Sequence, residues 1–297
     1  MVGGRPEWLK VKMPGGERYT RIKQRARQLK LHTVCEEAQC PNVGECWSGG
    51  TATFMVLGDT CTRGCRFCAV QTARNPAPPD VDEPQKLASA IAEMELDYVV
   101  VTSVNRDDLP DQGAGHFAAC IQASREKSPK TMVEVLIPDF RGRTDLLDAL
   151  LVARPDVLAH NVETVPDLQV PVRDPRANWA QSTTILKHAK SRGFLTKTSI
   201  QVGHGETEAQ VLAAMVLLRE IDVDFLTIGQ YLRPTPGHLA VKEYVHPDTF
   251  ARYAEAGREM GFGFVASGPL VRSSYKAGEY FIRDFLRNRA GSPGGEA

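Results

Sequence analysis

Six apolar runs rich in β-branched residues alternate with six helix-like segments along this chain of 297 residues. The predicted strands are 51–58, 97–104, 133–140, 156–163, 197–203 and 224–232. The predicted helices are 84–95, 114–127, 144–153, 178–192, 207–220 and 247–260. This alternation favours βα units around a parallel sheet. Six units do not close an eight-stranded barrel, so we expect an α/β fold, either an open partial barrel or a doubly wound sheet.

The segment CTRGCRFC begins at Cys61, just after the first predicted strand. Active sites of parallel α/β enzymes gather at the carboxyl ends of the strands. We therefore expect Cys61, Cys65 and Cys68 to lie where such a fold places its chemistry.

Six of the seven cysteines fall between positions 35 and 68, in two triplets. They are Cys35, Cys40 and Cys46 with C-x4-C-x5-C spacing, and Cys61, Cys65 and Cys68 with C-x3-C-x2-C spacing. Structural zinc usually takes four ligands from two cysteine pairs, which triplets do not supply. Three thiolates suit a [4Fe–4S] cluster whose fourth iron is open to another ligand. A catalytic zinc ion with three ligands and a water molecule stays an alternative.

The composition gives no sign of a nucleic-acid or membrane partner. Thirty-six basic residues balance thirty-six acidic ones, and no apolar run is long enough for a membrane-spanning helix. The first residues, MVGGRPEWLK, lack the apolar core of a secretory signal, so we expect a cytoplasmic protein with reduced thiols. The lone Cys120 lies in a helix-like segment and is expected to be a small buried apolar side chain.

The C-x3-C-x2-C spacing, with Phe67 directly before the last cysteine, resembles the signature of the radical S-adenosylmethionine (SAM) superfamily. The resemblance implies a partial (β/α)6 barrel, in agreement with the six units above. It also implies that the open iron binds the amino and carboxylate groups of SAM. An electron from the cluster then cleaves SAM to methionine and a 5′-deoxyadenosyl radical.

Further motifs extend this resemblance over roughly residues 5 to 285. They are CEEAQCPNVGECW, VVVTSVNRDDLPD, PDFRGR, LAHNVETVP, VRDPRANW, GQYLRPT and GPLVRSSYKAGE. Together with the two cysteine triplets they are similar to the motifs of the lipoyl synthase family. That family implies a sulfurtransferase that inserts two sulfur atoms at carbons 6 and 8 of a protein-bound octanoyl-lysine. It uses two molecules of SAM and consumes an auxiliary [4Fe–4S] cluster as the sulfur source.

The family resemblance implies a ligand set for each of two [4Fe–4S] clusters. The cysteines are Cys61, Cys65 and Cys68 for the cluster that reduces SAM, and Cys35, Cys40 and Cys46 for the auxiliary cluster. The fourth ligand of the auxiliary cluster is the serine next to tyrosine in RSSY, here Ser274. An oxygen ligand matches iron–sulfur chemistry poorly, which makes sense if this bond must break.

Residues at the ends of three predicted strands, and one arginine, are expected to contact SAM. They are Thr102 and Ser103, Asn161 and Glu163, Gln230, Tyr231 and Leu232, with Arg173 as the partner of the carboxylate. Strand-end polar residues also cap helices and satisfy loop backbone groups, so a purely structural role stays open for each of them.

We expect three regions along the chain. They are an amino-terminal extension with the auxiliary motif (1–48), a radical SAM partial barrel (49–265), and a carboxyl-terminal segment with the serine ligand and a disordered tail (266–297). The basic stretch 18–32 is interpreted as the solvated face of a short helix, with docking of an acidic partner as the alternative.

The resemblance also implies partners. The substrate is an octanoylated lipoyl carrier protein, either the E2 domain of a dehydrogenase complex or the glycine cleavage H protein. Ferredoxin or flavodoxin is expected to supply electrons, and an iron–sulfur carrier is expected to rebuild the consumed cluster. One copy of each site per chain makes a monomer sufficient.

Four places depart from the family pattern. Gln201 and His204 replace apolar residues, Gln112 stands where glycine is usual, and Pro236–Gly237 replaces basic residues. We expect these changes to affect the substrate tunnel or carrier docking, and not the reaction. Two other functions stay open. One is another radical SAM sulfur transferase or methylthiotransferase, and the other is a non-enzymatic zinc protein that binds a partner through its basic arm.

Overall fold

The computed structural model describes residues 6–10, 15–29, 31–37, 40 and 42–274. The strands are β1 (His32–Thr33), β2 (Thr51–Val56), β3 (Thr60–Cys61), β4 (Gln71–Thr72), β5 (Tyr98–Ser103), β6 (Met132–Leu136), β7 (Val157–Ala159), β8 (Thr196–Val202), β9 (Phe225–Gln230) and β10 (Phe264–Gly268). The α-helices are α1 (Glu17–Gln28), α2 (Val34–Glu37), α3 (Val43–Ser48), α4 (Glu83–Glu93), α5 (Ala114–Lys127), α6 (Thr144–Leu151), α7 (Gln169–Val172), α8 (Trp179–Ser191), α9 (Glu208–Glu220) and α10 (Pro247–Glu259). Residues 275–297, which include the expected disordered tail (288–297), lie outside the described residues.

The main sheet has the strand order β1-β2-β5-β6-β7-β8-β9-β10. Neighbours from β2 to β10 pair in parallel, whereas β1 pairs antiparallel with β2. One of the helices α4, α5, α6, α8, α9 and α10 lies between each two successive parallel strands. The spatial order follows the chain order without reversal, which is the winding of a barrel and not of a doubly wound sheet. The α/β class with a partial TIM-like barrel is thereby confirmed.

Two strands of the main sheet, β1 and β10, were not predicted from the sequence pattern. β10 extends the sheet beyond β9, with Phe264 opposite Phe225. It is only five residues long and ends in small residues, so its apolar signal is weak. The predicted strand 133–140 ends earlier, at Leu136, and is followed by Pro138, which has no N–H for the ladder.

The basic stretch 18–32 forms most of α1. On this helix Ile22 and Ala26 are fully buried, and the Arg25 side chain pairs with Glu93 of α4 at 2.5 Å. The stretch is therefore a helix that docks on the barrel with its polar face in solvent, as the sequence favoured. Among the described helices, none is long and apolar enough to cross a bilayer.

A buried ion pair joins the strands near their amino-terminal ends. Lys197 Nζ lies 2.8 Å from one oxygen of Glu134 and 3.0 Å from the other. The Tyr98 hydroxyl donates to the same carboxylate at 2.6 Å. Each of the three residues is at most 1% exposed. Removing one charge would leave the other buried without compensation, which is far more costly than replacing both.

Replacing Lys197 with Met is expected to lower the free energy of unfolding by about 3–5 kcal/mol, because the Glu134 carboxylate loses its cation. The double variant Lys197→Met, Glu134→Gln should regain most of this loss, since glutamine still accepts from Tyr98. Urea unfolding of the purified chain, followed by circular dichroism, measures both values.

The exposed pair of Arg258 and Glu255 offers a matched control. Arg258→Met should change the free energy of unfolding by less than about 0.5 kcal/mol. Equal stability of Lys197→Met and the unchanged chain would contradict the assigned role of the buried pair.

Candidate active site

A cavity of about 500 Å³ opens where the parallel strands end. The ends of β5, β6, β8 and β9 and the loop after β7 line it. Its cysteines and serines are Cys35, Cys40, Cys61, Cys65, Cys68, Ser103, Ser199, Ser273 and Ser274. Cys46 is buried on α3 and is not among the lining residues. The structure thus brings five of the six clustered cysteines and the RSSY serines to one cavity, at the edge of the sheet expected from the sequence.

The cysteine loop (61–68) is held to the neighbouring strand ends through its backbone. β3, at the start of the loop, pairs in parallel with β4, which follows shortly after the end of the loop. The Thr62 N–H and hydroxyl both donate to the Asn105 carbonyl at 2.9 Å. On the opposite side the Arg66 N–H donates to the Val172 carbonyl at 3.0 Å. The loop therefore has a fixed path although most of it is irregular.

Backbone N–H groups point at the sulfur atoms of the cysteine loop. Cys61 Sγ accepts from the N–H groups of Arg63 and Asn105, each at 3.4 Å. Cys65 Sγ accepts from the N–H of Asp174 at 3.3 Å. Such donors stabilise negative charge on sulfur, so they suit thiolate ligands better than neutral thiols.

Burial makes the thiolate form of four cysteines that line the cavity costly unless a cation is present. It raises the pKa of Cys65 to about 11 and that of Cys68 to about 12. In the upstream triplet, burial raises the pKa of Cys35 to about 11 and raises that of Cys40 as well. Metal binding displaces the thiol proton and supplies the missing positive charge. Sulfur-rich triplets with N–H donors therefore fit iron–sulfur clusters.

The segment before Ser274 reaches the cavity by crossing β9 at Gly229. A Cβ on Gly229 would lie 2.0 Å from the Val271 carbonyl oxygen, so only glycine allows this approach. The Asn42 amide, from the upstream cysteine motif, donates to the Leu270 carbonyl at 2.6 Å. Asn42 and Gly229 thus bring the serine from one end of the chain to cysteines from the other.

All eight residues predicted to contact SAM line the cavity. Ser103 Oγ and Asn161 Oδ1 are buried and have no hydrogen-bond partner among the described residues. The Thr102 hydroxyl, in contrast, already donates to the Leu136 carbonyl at 2.7 Å. Buried polar atoms are nearly always paired, so the two orphan atoms point to a polar ligand.

Glu163 combines an unusual backbone with a tightly held side chain. Its φ is 67°, in the left-handed region that side chains rarely adopt and that often marks functional sites. The Gln201 amide donates to its carboxylate at 2.7 Å. Burial raises the pKa of the Glu163 carboxyl, while Arg173 and Gln201 act against that rise. The departure at Gln201 therefore adds a hydrogen-bond donor to a predicted SAM contact.

Arg173 is oriented by a network on α7 and α8. Its Nη1 donates to the Gln169 side chain at 3.0 Å and to Ser182 Oγ at 2.8 Å. Ser182 Oγ lies 2.9 Å from His160 Nε2, and His160 Nδ1 lies 2.8 Å from the Ile137 carbonyl. Burial, followed by Arg173, lowers the pKa of His160 to about 4, so this histidine is neutral and donates to the carbonyl. Arg173 Nε is buried without a partner among the described residues.

Gln230 and Tyr231 line the cavity, but the polar groups of their side chains are hydrogen-bonded to the protein backbone. The Gln230 amide donates to three carbonyls and accepts from the Val245 N–H at 2.9 Å. The Tyr231 hydroxyl donates to the Leu239 carbonyl at 2.9 Å. The ring of His204 stacks on Tyr231 with 4.4 Å between ring centres. The side chains of Gln230, Tyr231 and the neighbouring Leu232 can therefore contact a ligand through their apolar surface and can define the shape of the cavity, while the polar groups of the first two stay bonded to the backbone.

The other two departures lie outside the strand ends. Gln112 has a φ of 50°, where glycine is favoured, and its amide donates to the Phe140 carbonyl at 3.3 Å. Pro236–Gly237 is exposed, and the next residue, His238, hydrogen-bonds to the Cys68 carbonyl at 2.9 Å. Both departures therefore belong to loops that support the cavity.

One charged cluster next to the cysteines was not predicted from the sequence. Arg63, inside CTRGCRFC, is buried between Asp107 and Asp139. The motifs NRDD and PDFRGR had served only as signs of family resemblance. The sequence did carry a signal for this cluster, namely an arginine between cysteines and aspartates just after two predicted strands. Because parallel strands end at one edge of a sheet, these residues could have been expected to meet.

Cys120 is buried, as expected, but has polar neighbours. Its sulfur and ligand atoms of Glu83 and His116 lie within 4.8 Å of one another. His116 Nε2 lies 2.6 Å from Glu83 Oε2, which also accepts from the Leu57 N–H at 2.8 Å. Burial raises the pKa of the Cys120 thiol. The carboxylate is thus already paired, and the group ties α4 and α5 to the end of β2.

Comparisons with known families bear on the same segments. The sequence model of the radical SAM superfamily matches residues 55–218, which is more than half of the chain. The model for the N-terminal domain of lipoyl synthase of the radical SAM family matches residues 4–40. The first match includes the cysteine loop, and the second ends at Cys40.

Curated relatives match nearly the whole chain. Mitochondrial lipoyl synthase of Ostreococcus lucimarinus is 60% identical over 291 residues, which cover 96% of this chain and 73% of the relative. Chloroplastic lipoyl synthase of Ricinus communis is 57% identical over 293 residues, which cover 96% of this chain and 80% of the relative. These organelle names do not support the cytoplasmic location expected from the sequence.

A solved structure supports the fold. Methylornithine synthase has a TM-score of 0.51 at 13% sequence identity, over 93% of this chain and 89% of that chain. Likeness at this level of identity concerns the architecture alone, whereas the sequence matches extend over the cysteine motifs and most of each relative. This chain belongs to the lipoyl synthase family of the radical SAM superfamily.

Proposed function

We propose that this member of the lipoyl synthase family holds two [4Fe–4S] clusters at the mouth of one barrel and uses both on one octanoyl chain. The family reaction is the radical insertion of two sulfur atoms at carbons 6 and 8 of a protein-bound octanoyl-lysine. The observation that carries the proposal is the shared cavity, which is lined by cysteines of both triplets and by Ser274. A zinc-binding interaction protein would have no need of such a cavity.

Cys61, Cys65 and Cys68 are the proposed ligands of the cluster that binds SAM. When bound, this cluster supplies the electron that cleaves SAM. The chain contributes three sulfur ligands on a fixed loop and polar atoms for the cofactor. Among these, Ser103 Oγ and Asn161 Oδ1 lack partners in the described residues and suit hydrogen bonds to SAM.

Charged residues of the cavity are proposed to complete the SAM site. Arg173 is fixed by its neighbours and carries the positive charge that a methionine carboxylate needs. Glu163, oriented by Gln201, offers acceptors to hydroxyl or amino groups. The remaining predicted contacts, Thr102, Gln230, Tyr231 and Leu232, are proposed to form the walls around the cofactor.

The proposed auxiliary site joins the two ends of the chain. Cys35 and Cys40 line the cavity together with Ser274, while Cys46 stays a proposed ligand on the family resemblance alone. Serine oxygen is a hard ligand for an iron–sulfur cluster, so this bond is the weakest of the set. Its loss would let one iron leave while the cysteines keep their positions. This site thereby suits a cluster that is consumed as the sulfur source.

We propose that each of the three regions of the chain contributes a different part of the two sites. The extension 1–48 carries the auxiliary cysteines, 49–265 forms the barrel, and 266–297 brings the serine ligand. We propose that the octanoyl-lysine arm of a lipoyl carrier protein enters the open cavity. Ferredoxin or flavodoxin as the electron donor, and an iron–sulfur carrier for rebuilding, stay predictions. The cytoplasmic location also stays a prediction, which fractionation of cells that express the chain can test.

The product of the reaction tests the proposed function. Anaerobically reconstituted protein with an octanoyl-lysyl peptide, SAM and dithionite should yield a peptide with two added sulfur atoms by mass spectrometry. A peptide with unmodified lysine is the control and should gain none. If 5′-deoxyadenosine forms and no sulfur enters the octanoyl chain, the chain performs another radical SAM reaction.

The Ser274→Cys variant tests the labile ligand. It should keep the iron of both clusters yet make about 10-fold less lipoyl product or lower, because a thiolate holds iron more firmly than a serine oxygen. Ser273→Cys places the same thiol one residue earlier and should retain more product. Iron analysis and mass spectrometry of the peptide measure both effects. Product at the unchanged level in Ser274→Cys would refute the assignment of Ser274.

A further inference from the structure

The Arg63 side chain is buried within the cysteine loop between two carboxylates. Its Nε and Nη2 donate to Asp107 at 2.8 and 2.9 Å, and its Nη1 lies 2.7 Å from Asp139. The side chains are 2% exposed for Arg63, 4% for Asp107 and 0% for Asp139. Burial acts to lower the pKa of this guanidinium, but the hydrogen bonds to Asp107 and the charge of Asp139 raise it. Arg63 therefore stays positively charged.

Asp107 is shared by arginines from other loops. The Arg141 Nε donates to it at 3.1 Å, and Arg176 Nη1 lies 3.4 Å from it. Arg141 and Arg176 are 46% and 43% exposed, so they form the outer rim of the cluster. Burial acts to raise the pKa of Asp107, but Arg63 and Arg141 hold it below its ordinary value. Asp107 is thus a buried anion with three cationic neighbours.

Asp174 connects this network to a cysteine. Its carboxylate accepts from the Gly64 N–H at 2.8 Å and from Arg176 at 2.8 Å. Its own backbone N–H donates to Cys65 Sγ at 3.3 Å. The pKa of Asp174 is held far below its ordinary value, first by the Arg176 hydrogen bond. A charged side chain therefore fixes both the loop backbone and a donor to sulfur.

The network contains charges of both signs, and the carboxylate of Glu163 interacts with Arg173 at its edge. Its arginines are Arg63, Arg141, Arg173 and Arg176, and its aspartates are Asp107, Asp139 and Asp174. Desolvation offsets much of the attraction in buried ion pairs, so stability alone is a weak reason for such a network. A cluster held by three thiolates gains negative charge on reduction, and nearby charge shifts its potential.

We propose that the arginine–aspartate network around Arg63 positions the cysteine loop and sets the reduction potential of the cluster bound to it. This inference rests on the proposed function, in which Cys61, Cys65 and Cys68 hold that cluster. Asp107 acts as a positioning residue, because it contacts the loop through Arg63 and Thr62 and not through the thiols. Each positive charge of the network would raise the potential of a cluster held by this loop, and each negative charge would lower it.

Two variants of opposite charge test the inference in the reconstituted full-length chain. Asp107→Asn removes a negative charge and keeps an acceptor oxygen for Arg63, so the potential should become more positive. Arg141→Gln removes a positive charge from the exposed rim, so the potential should become more negative. A redox titration, monitored by electron paramagnetic resonance, measures the reduction potential of the cluster whose signal changes when SAM is added. Urea unfolding of the cluster-free chains reports any purely structural effect separately.

The exposed pair of Arg143 and Asp145 supplies matched controls. Arg143→Gln and Asp145→Asn make the same charge changes away from the buried network and should leave the potential unchanged. Shifts of opposite sign in the two network variants, larger than those of the controls, support the inference. Shifts of the same sign, or shifts no larger than the controls, overturn it.

Three further outcomes bear on this inference and on the proposed function. If Asp107→Asn does not fold, Arg141→Gln decides alone, and an unchanged potential in that variant overturns the inference. If the unchanged chain assembles no cluster that responds to SAM, the proposed function itself fails. A SAM-responsive cluster with no shift in either variant refutes the charge network alone.

Discussion

The ion pairs of Arg63 with Asp107 and Asp139 join the side chains of the cysteine loop to the ends of two strands, in addition to the backbone hydrogen bonds that hold the loop. The loop is mostly irregular, so it lacks the repeated hydrogen bonds that hold a helix or a strand in place. The two carboxylates follow β5 and β6, and neighbouring parallel strands end at the same edge of the sheet. The positions of the strand ends in the barrel fix the positions of the two carboxylates. They thereby constrain where the loop and its thiols lie.

A second constraint joins the two ends of the chain. The upstream cysteine motif and the RSSY segment are far apart in sequence, yet the Asn42 amide donates to the backbone of that segment. Gly229 leaves room for the same segment above β9. The proposed auxiliary site, which these two segments form together, would be able to release its serine ligand without disturbing the barrel. The cysteine loop, in contrast, is held from several sides by one rigid scaffold.

The sequence predicted the features that repeat or that carry unusual chemistry. The six βα units follow from hydrophobic patterning, and the number and spacing of the cysteine triplets favoured iron–sulfur clusters, with a zinc ion as the alternative. The short β10 was missed, since five residues that end in small side chains carry little pattern. Ser274 entered only through family resemblance, because no local signal marks a serine as an iron ligand.

Contacts between segments that are distant in sequence could not be predicted from the sequence, and the reason is physical. Gln201 was recognised as a departure, but its hydrogen bond to Glu163 depends on how β8 lies against the loop after β7. Gln112 was likewise noted, and only its positive φ explains why glycine is usual there. Both effects arise from backbone geometry and tertiary contacts, which local propensity does not encode.

The central claim is that one cavity serves two separate clusters, and metal analysis tests it most directly. The anaerobically reconstituted chain should contain about eight iron atoms, four for each of two clusters. Replacing Cys35, Cys40 and Cys46 with alanine should leave about four, and these should still respond to SAM. Replacing the cysteines of the 61–68 loop should also leave about four, which should not respond. About four iron atoms in the unchanged chain, or loss of all iron from either variant, would contradict the account.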